Sequence, residues 1–235
     1  MTRRIWLCAA LALAAPAHGA ERRVGIGSFD RLRVDGAFAV TAVTGRSPAA
    51  VVTGDRTAID AIEVRAEGNT LIVRRAVGGV WGEQGARERN GPVTIAVSTP
   101  SLAGVAVVGG GTVTVDRMAT PRTDLSVTGP GSITVGAVAG DILNAQVIGN
   151  GGIAIAGKAA TVRLSTNGAG TIDAAKLDAG DLTIRLDGNG QTVARALYVA
   201  RINSTGLGTI TVGGSAKCTV KAPSSAPIVC GTPAP

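Results

Sequence analysis

The chain has 235 residues, of which 34 are glycine, and only 2% are aromatic. Lysine and arginine outnumber aspartate and glutamate by 23 to 16, but the basic residues are dispersed, which gives little support to nucleic-acid binding. We expect a solvated surface of mixed charge, with affinity for anionic envelope polymers or lipid headgroups as the alternative. The few aromatic residues provide poorly for recognition of sugars or bases by stacking.

Residues 1–20 have the pattern of a secretory signal peptide. Arg3 and Arg4 precede an apolar run over residues 5–15, and small residues follow it. The run is too short to span a bilayer, and no later apolar segment is long enough to do so. We therefore predict an exported protein, periplasmic or secreted. The only histidine, His18, would be removed with the peptide, so imidazole catalysis and histidine metal sites are not expected.

Short strands are predicted in the first part of the mature chain. Apolar residues alternate over residues 29–42, with Gly36 as a bend. Residues 62–66 and 70–75 flank Gly68 and Asn69, a pair that favours a tight hairpin. We expect the strands of this region to be irregular and to cover one end of the fold.

Residues 76–91 interrupt the strand pattern with four charges and five glycines. Loops of this length are either functional or mobile. Trp81 lies in the middle of the segment, and we predict that Trp81, Glu83, Arg87 and Arg89 form a contact surface. The alternative is that Trp81 packs against neighbouring strands and the loop is a tolerated insertion.

Six Gly-x-Gly pairs recur 18 to 20 residues apart, which indicates an internal repeat. The economical geometry for such a unit, with short strands and no helix-forming stretch, is a single-stranded parallel β-helix. We predict coils of about 20 residues, stacked about 4.8 Å apart and right-handed, with glycines at a corner that needs positive φ or close backbone approach. The pairs are Gly109 and Gly111, Gly129 and Gly131, Gly149 and Gly151, Gly168 and Gly170, Gly188 and Gly190, and Gly206 and Gly208.

Aliphatic residues fall into columns when the repeats are aligned on these glycines. The columns should face inward and form the core, while the intervening threonine, serine, aspartate and arginine residues face water. One column lies seven residues after the second glycine, and another opens the next coil. The first contains Met118, Val138, Leu177 and Leu197, and the second contains Leu125, Ile142, Val162, Leu182 and Ile202.

Other repeat architectures and catalytic arrangements fit less well. A calcium-binding β-roll needs an aspartate in phase with the glycines, and only Asp173 has that place, so no metal is predicted. The glycine pairs also lack the strand, helix and spaced acidic residue of a dinucleotide site, and no cofactor is predicted. A polysaccharide lyase or hydrolase could use paired carboxylates, for which Asp141 and Asp181 are the candidates. They would lie two coils apart, about 10 Å, and are more simply turn residues.

Cys218 and Cys230 are predicted to form a disulfide, because disulfides persist in an exported protein. The bond would stabilise the fold by roughly 3 kcal/mol. Zinc ligation is the alternative, although two thiols without histidine make a poor site. The surrounding segment, residues 217–235, contains four prolines, and we expect a cap or tail that does not extend the sheet.

The order of these motifs resembles the family of putative autotransporter adhesins, head GIN domain, over roughly residues 29–215. The resemblance implies an exported β-helical protein with no catalytic motif. Together with the patterns at the two ends, it predicts a signal peptide (1–20), a GIN-like domain (21–216, with irregular strands over 29–100 and regular coils over 101–216) and the cap or tail (217–235). The matching pieces are Phe29-x-x-Leu32-x-Val34-x-Gly36-x-Phe38-x-Val40, Val52-x-Gly54-Asp55, Gly68-x-x-Leu71-x-Val73, and Val93-x-Ile95 followed by Pro100 and Leu102.

The sequence therefore favours a non-enzymatic envelope protein with an adhesin-like β-helix. Its extended face would bind a polysaccharide or a protein partner. The first alternative is a polysaccharide lyase or hydrolase that uses carboxylates, an idea that rests on fold analogy. The second is a structural or regulatory partner of another envelope protein.

Overall fold

A computed structural model describes residues 20–76, 93–223 and 225–232. Strand accounts for about 71% of the structure and helix for 3%, and the strands form a parallel β-solenoid of about six turns with coils of about 20 residues. The predicted parallel β-helix is thus confirmed. Most of the predicted signal peptide lies outside the described residues.

The described elements are seventeen strands and one short helix. The helix, α1 (Arg56–Asp60), lies between the fourth and fifth strands. The strands are β1 (Ala20–Val24), β2 (Arg31–Asp35), β3 (Ala39–Thr44), β4 (Ala49–Gly54), β5 (Ile62–Glu67), β6 (Thr70–Arg75), β7 (Thr94–Thr99), β8 (Gly104–Val108), β9 (Thr112–Met118), β10 (Arg122–Thr128), β11 (Ser132–Ile148), β12 (Gly152–Gly168), β13 (Thr171–Gly188), β14 (Gln191–Ser204), β15 (Thr209–Gly213), β16 (Lys217–Lys221) and β17 (Ile228–Thr232).

Each coil contributes one segment to each of two stacked parallel faces. Strands β11 to β14 are long because each continues from one face, around a third side, to the other face in the next coil. Face A is the outer surface of segments 70–75, 31–35, 104–108, 122–128, 142–148, 161–167, 181–187, 199–204 and 217–221. Face B is that of segments 94–99, 39–44, 112–115, 132–135, 152–155, 171–174, 191–195, 209–213 and 228–232.

The order of the coils in the stack differs from their order in the chain. β2 pairs with β6 on one edge and with β8 on the other, and β3 pairs in the same way with β7 and β9. Residues 29–100, for which we predicted irregular strands, therefore supply regular coils as well. Antiparallel strands cover the end beyond β6 and β7, because β5 pairs with β6, β4 with β7, and β1 with β4.

The glycine pairs lie at the corner between face A and face B. The first glycine of five pairs has positive φ, between +93° at Gly109 and +123° at Gly188. The second glycine has another requirement. A Cβ added to Gly131 would lie 2.6 Å from the Gly109 carbonyl oxygen and 2.7 Å from that of Gly111. Gly36 joins the column, since its φ is +123° and its backbone lies against Gly109.

The core consists of the inward columns, with two corrections to the predicted set. Leu197 is only partly buried, and its neighbour Ala196 is fully buried instead. Ile142 pairs with Thr161 in an outward column, and Leu143 fills the inward place. The error at Ile142 is a shift of one residue, which moves a side chain to the other surface of a strand. The error at Leu197 arises because residues 175–177 of β13 have no partner in β14, so that Ala196 pairs with Ala179.

The predicted disulfide between Cys218 and Cys230 is present, with a Cα–Cα distance of 6.3 Å. Cys218 continues the inward column of Ala200, and Cys230 continues that of Val212. The bond thus joins the two faces inside the last coil. The expectation that this segment would not extend the sheet is wrong, because β16 pairs in parallel with β14 and β17 with β15.

We predict that Gly131→Ala lowers the free energy of unfolding by about 1 to 3 kcal/mol, because the methyl group has no room between stacked backbones. Denaturant unfolding followed by circular dichroism would measure this. Gly27→Ala is the matched control, since nothing lies within 4 Å of its added Cβ. Equal unfolding midpoints for the two variants would contradict close packing at the corner.

We predict that Thr192→Val raises the free energy of unfolding by about 1 kcal/mol. The Thr192 hydroxyl is buried and has no hydrogen-bond partner among the described residues, so an isosteric methyl group removes an unsatisfied polar atom. Thr99→Val is the comparison, since the equally buried Thr99 hydroxyl donates to the Phe29 carbonyl oxygen. The two variants should shift the thermal midpoint in opposite directions, and a destabilised Thr192→Val would refute the assignment.

Candidate functional site

A groove of about 600 Å³ crosses face A from β6 to β12. Its floor lies where the outward residues of adjacent coils are small, namely Gly104, Ala106 and Ser126. Polar residues flank this floor on both sides. They are Arg31 and Arg33 on one side and Asn144, Gln146, Arg163 and Ser165 on the other.

The glycine on β8 makes room for an arginine of the neighbouring coil. Arg31 pairs with Gly104, and a Cβ added to Gly104 would lie 3.3 Å from Arg31 Cγ and 3.4 Å from Arg31 Nη1. The Arg31 side chain therefore extends over the backbone of β8. Its guanidinium group reaches toward the floor of the groove.

Asp124 is the carboxylate of the groove. The Asn144 amide donates to Asp124 Oδ1 over 2.8 Å, and Arg122 Nε lies 3.2 Å from Asp124 Oδ2. Burial acts to raise the pKa of Asp124, but the hydrogen bonds from Asn144 and Arg122 outweigh it, and the pKa lies below its usual value. Asp124 is consequently ionised at neutral pH and accepts hydrogen bonds.

Several groove side chains make no internal polar contact. Within the described part of the chain, Arg163, Gln146, Ser126 and Ser165 have neither an ion pair nor a side-chain hydrogen bond. Arg163 is also exposed. These groups are available to donate to and accept from a ligand.

Face A carries more charged residues than face B. Three of its aspartates pair with arginines two residues before them in the same strand, which leaves basic residues in excess. The outward residues of face B are mainly threonine, and Asp173 is the one charged member of its two central columns. On face A the basic residues are Arg31, Arg33, Arg74, Arg122, Arg163, Arg185, Arg201, Lys217 and Lys221, and the acidic residues are Asp35, Asp124, Asp181 and Asp187.

The two carboxylates proposed for catalysis do not converge. Asp181 pairs with Thr161, which pairs with Ile142, so Asp141 is one residue out of register with Asp181 and two coils away. Both side chains are exposed. Among the described residues, no group of three or more histidine, cysteine, aspartate or glutamate residues could hold a metal ion, and no helix is long and apolar enough to cross a membrane.

The predicted contact residues Trp81, Glu83, Arg87 and Arg89 lie outside the described residues. Sequence reasoning missed the groove on face A. The available signal was the presence of small residues at two outward positions of β8, where most other strands of this face carry polar side chains. Recognising it required knowing that β2 lies beside β8.

The fold is shared with solved structures of low sequence identity. A putative adhesin from Bacteroides fragilis superposes with a TM-score of 0.79 and 20% identity, over 90% of this chain and 96% of that one. A putative lipid binding protein from Parabacteroides distasonis has a TM-score of 0.72 and 17% identity, over 92% and 97%. A putative adhesin from Parabacteroides merdae superposes with a TM-score of 0.72 and 15% identity, over 92% of this chain and 97% of that one.

A search of curated proteins finds no match. The family model described as "putative auto-transporter adhesin, head GIN domain" matches residues 28–216. This match covers most of the chain and agrees with the resemblance in the strand and glycine motifs. The chain therefore belongs to the head GIN domain family of putative auto-transporter adhesins.

Proposed function

We propose that this protein is an exported, non-enzymatic binding protein that holds a polysaccharide chain in the groove on face A. The observation that carries the proposal is a row of polar side chains that have no ion pair or side-chain hydrogen bond within the described part of the chain and lie beside a floor of small residues. The proposal extends the adhesin-like character of the family to a specific surface.

The dimensions of the groove suit a chain-like ligand. Its lining residues come from six adjacent strands, which at about 4.8 Å per spacing extend over about 24 Å. Small compact ligands are usually held in deep concave pockets that bury most of their surface. A shallow groove of this length contacts successive units of a polymer instead.

The side chains of the groove suit sugar hydroxyl groups. The guanidinium group of Arg163 and the amide of Gln146 are planar and offer adjacent polar atoms, which match pairs of neighbouring hydroxyls. Asp124 accepts hydrogen bonds from hydroxyls, and the floor at Gly104 and Ala106 contacts the C–H surfaces of a sugar ring. Arginine also binds the carboxylates of acidic sugars, so neutral and acidic glycans are both suitable ligands.

A binding role fits the groove better than hydrolysis. Glycosidases use two carboxyl groups, and the acid of the pair has a raised pKa. Asp124 is the one carboxylate that lines the described groove, and its pKa is lowered. It is therefore suited to orient a ligand and poorly suited to donate a proton.

A lipid ligand, which the name of one structural neighbour suggests for that protein, fits this groove less well. An acyl chain needs an apolar, enclosed cavity. The groove on face A is open to solvent and has arginine, amide and hydroxyl groups along its sides.

We expect Arg163→Gln combined with Gln146→Ala to weaken glycan binding at least tenfold, about 1.4 kcal/mol, because both side chains face the ligand. The full mature protein would first be tested on an array of purified bacterial envelope glycans, and affinities for the glycans it retains would be measured by calorimetry. Arg117→Gln combined with Gln191→Ala is the matched control away from face A. Absence of glycan binding, or equal affinity in both double variants, would refute the proposal.

The affinity should also depend on pH through Asp124. Because the pKa of Asp124 lies below its usual value, the carboxylate stays ionised to a more acidic pH than an ordinary aspartate, and binding should weaken only as this carboxylate is protonated. Asp124→Asn should abolish this dependence. Calorimetric titrations between pH 3 and pH 7 would test it, and an unchanged pH profile in the variant would exclude Asp124 from the site.

A further inference from the structure

The two ends of the solenoid are built differently. At one end, antiparallel strands β5 and β4 cover the last parallel strands, β6 and β7. At the other end, β16 pairs with β14, and the described strands include no second partner for it. The backbone N–H and C=O groups along the outer edge of β16 therefore remain available for another strand.

A core position is also uncovered at this edge. Val220 continues the inward column of Leu164, Ile184 and Ile202, which are 2%, 0% and 1% exposed, whereas Val220 is 45% exposed. In the preceding coils, the next strand covers the corresponding residue. The edge thus combines unpaired backbone groups with apolar surface that one further strand would bury.

The charges of β16 restrict which strand can be added. Lys217 and Lys221 are exposed on the face A side of the strand, and neither has an ion pair among the described residues. If two copies of β16 paired antiparallel and in register, Lys217 would lie opposite Lys221, and like charges in that arrangement are unfavourable. The lysines therefore disfavour a second copy and attract a strand with acidic residues.

We propose that the β16 edge binds an extended acidic segment of a partner protein, which adds one strand to the solenoid. The segment would place acidic side chains opposite Lys217 and Lys221 and an apolar side chain opposite Val220. Backbone hydrogen bonds would supply affinity and the alternating side chains specificity, as in other cases of strand addition. The partner segment therefore needs two acidic residues four positions apart. It also needs an apolar residue directly beside the acidic residue that lies opposite Lys221, on the side toward the other acidic residue.

The disulfide holds this edge in place before a partner arrives. Cys218 of β16 is bonded to Cys230 of β17, which pairs with β15 in the preceding coil. A strand fixed in this way loses less conformational freedom when it binds. The site is separate from the groove, so it does not depend on glycan binding.

The test uses the full mature protein and a fluorescent peptide with the core Glu-Val-Thr-Val-Glu between Ser-Gly flanks. The core satisfies the pattern in both strand directions. We expect saturable binding in fluorescence anisotropy. A peptide with lysine in place of both glutamates should bind at least tenfold more weakly. One that is N-methylated at both the threonine and the following valine keeps the charge, and it should also bind at least tenfold more weakly, because successive N–H groups of a strand point to opposite edges and one of these two would face β16.

The protein variant Lys217→Glu combined with Lys221→Glu should reverse the preference, so that the lysine peptide binds at least tenfold more tightly than the glutamate peptide. Arg46→Glu combined with Arg117→Glu makes the same change in net charge away from the edge and should leave the preference unaltered. Thermal unfolding would verify that both variants remain folded.

Three results would overturn the proposal. The first is no binding of the glutamate peptide at millimolar concentration. The second is equal binding of the N-methylated peptide, which would show attraction of charge without strand addition. The third is self-association of the parent protein in sedimentation that the Lys217→Glu and Lys221→Glu variant alters, which would identify a second copy as the occupant. Loss of glycan binding in the groove variants bears on none of these outcomes.

Discussion

The close stacking of backbones at the glycine corner is the constraint on which the rest of this structure depends. Second glycines such as Gly131 and Gly151 leave no room for a Cβ beside the carbonyl oxygens of the coil below. First glycines such as Gly129 take the positive φ that turns the chain from face A to face B. Together they set the register of each coil on the next, and the inward and outward columns follow from that register.

A fixed register lets the two faces differ in chemistry while they share a core. Face A carries ion pairs, a groove and arginines without an ion pair in the described part of the chain. The central columns of face B consist mainly of small residues with hydroxyl groups. Because outward side chains contribute little to the core, function can be assigned to surface columns and stability to the interior. The candidate ligand surface is therefore determined by which outward residues meet across coils.

The repeat architecture was predictable because each coil contains the same local sequence pattern, a glycine pair with aliphatic residues at a constant spacing. The disulfide followed from two cysteines in a chain that we expected to be exported. Gly36 was interpreted only as a bend, because its stacking partner Gly109 is distant in the chain. The groove was missed for the same reason, since Arg31 and Gly104 become neighbours only through long-range pairing. The four prolines of residues 217–235 led us to predict no strands there. In the sequence, however, two of these prolines lie between β16 and β17 and the other two follow β17.

The placement of β2 and β3 between coils that come later in the chain has a consequence for how the molecule assembles. A repeat protein with coils in chain order can form or fray one coil at a time, because each unit contacts only its neighbours. Here the coil formed by residues 31–44 pairs with residues 70–75 and 94–99 on one edge and with β8 and β9 on the other. All of these partners come later in the chain. The first coil to be synthesised can therefore pair with both of its neighbours only after more than sixty further residues have been synthesised.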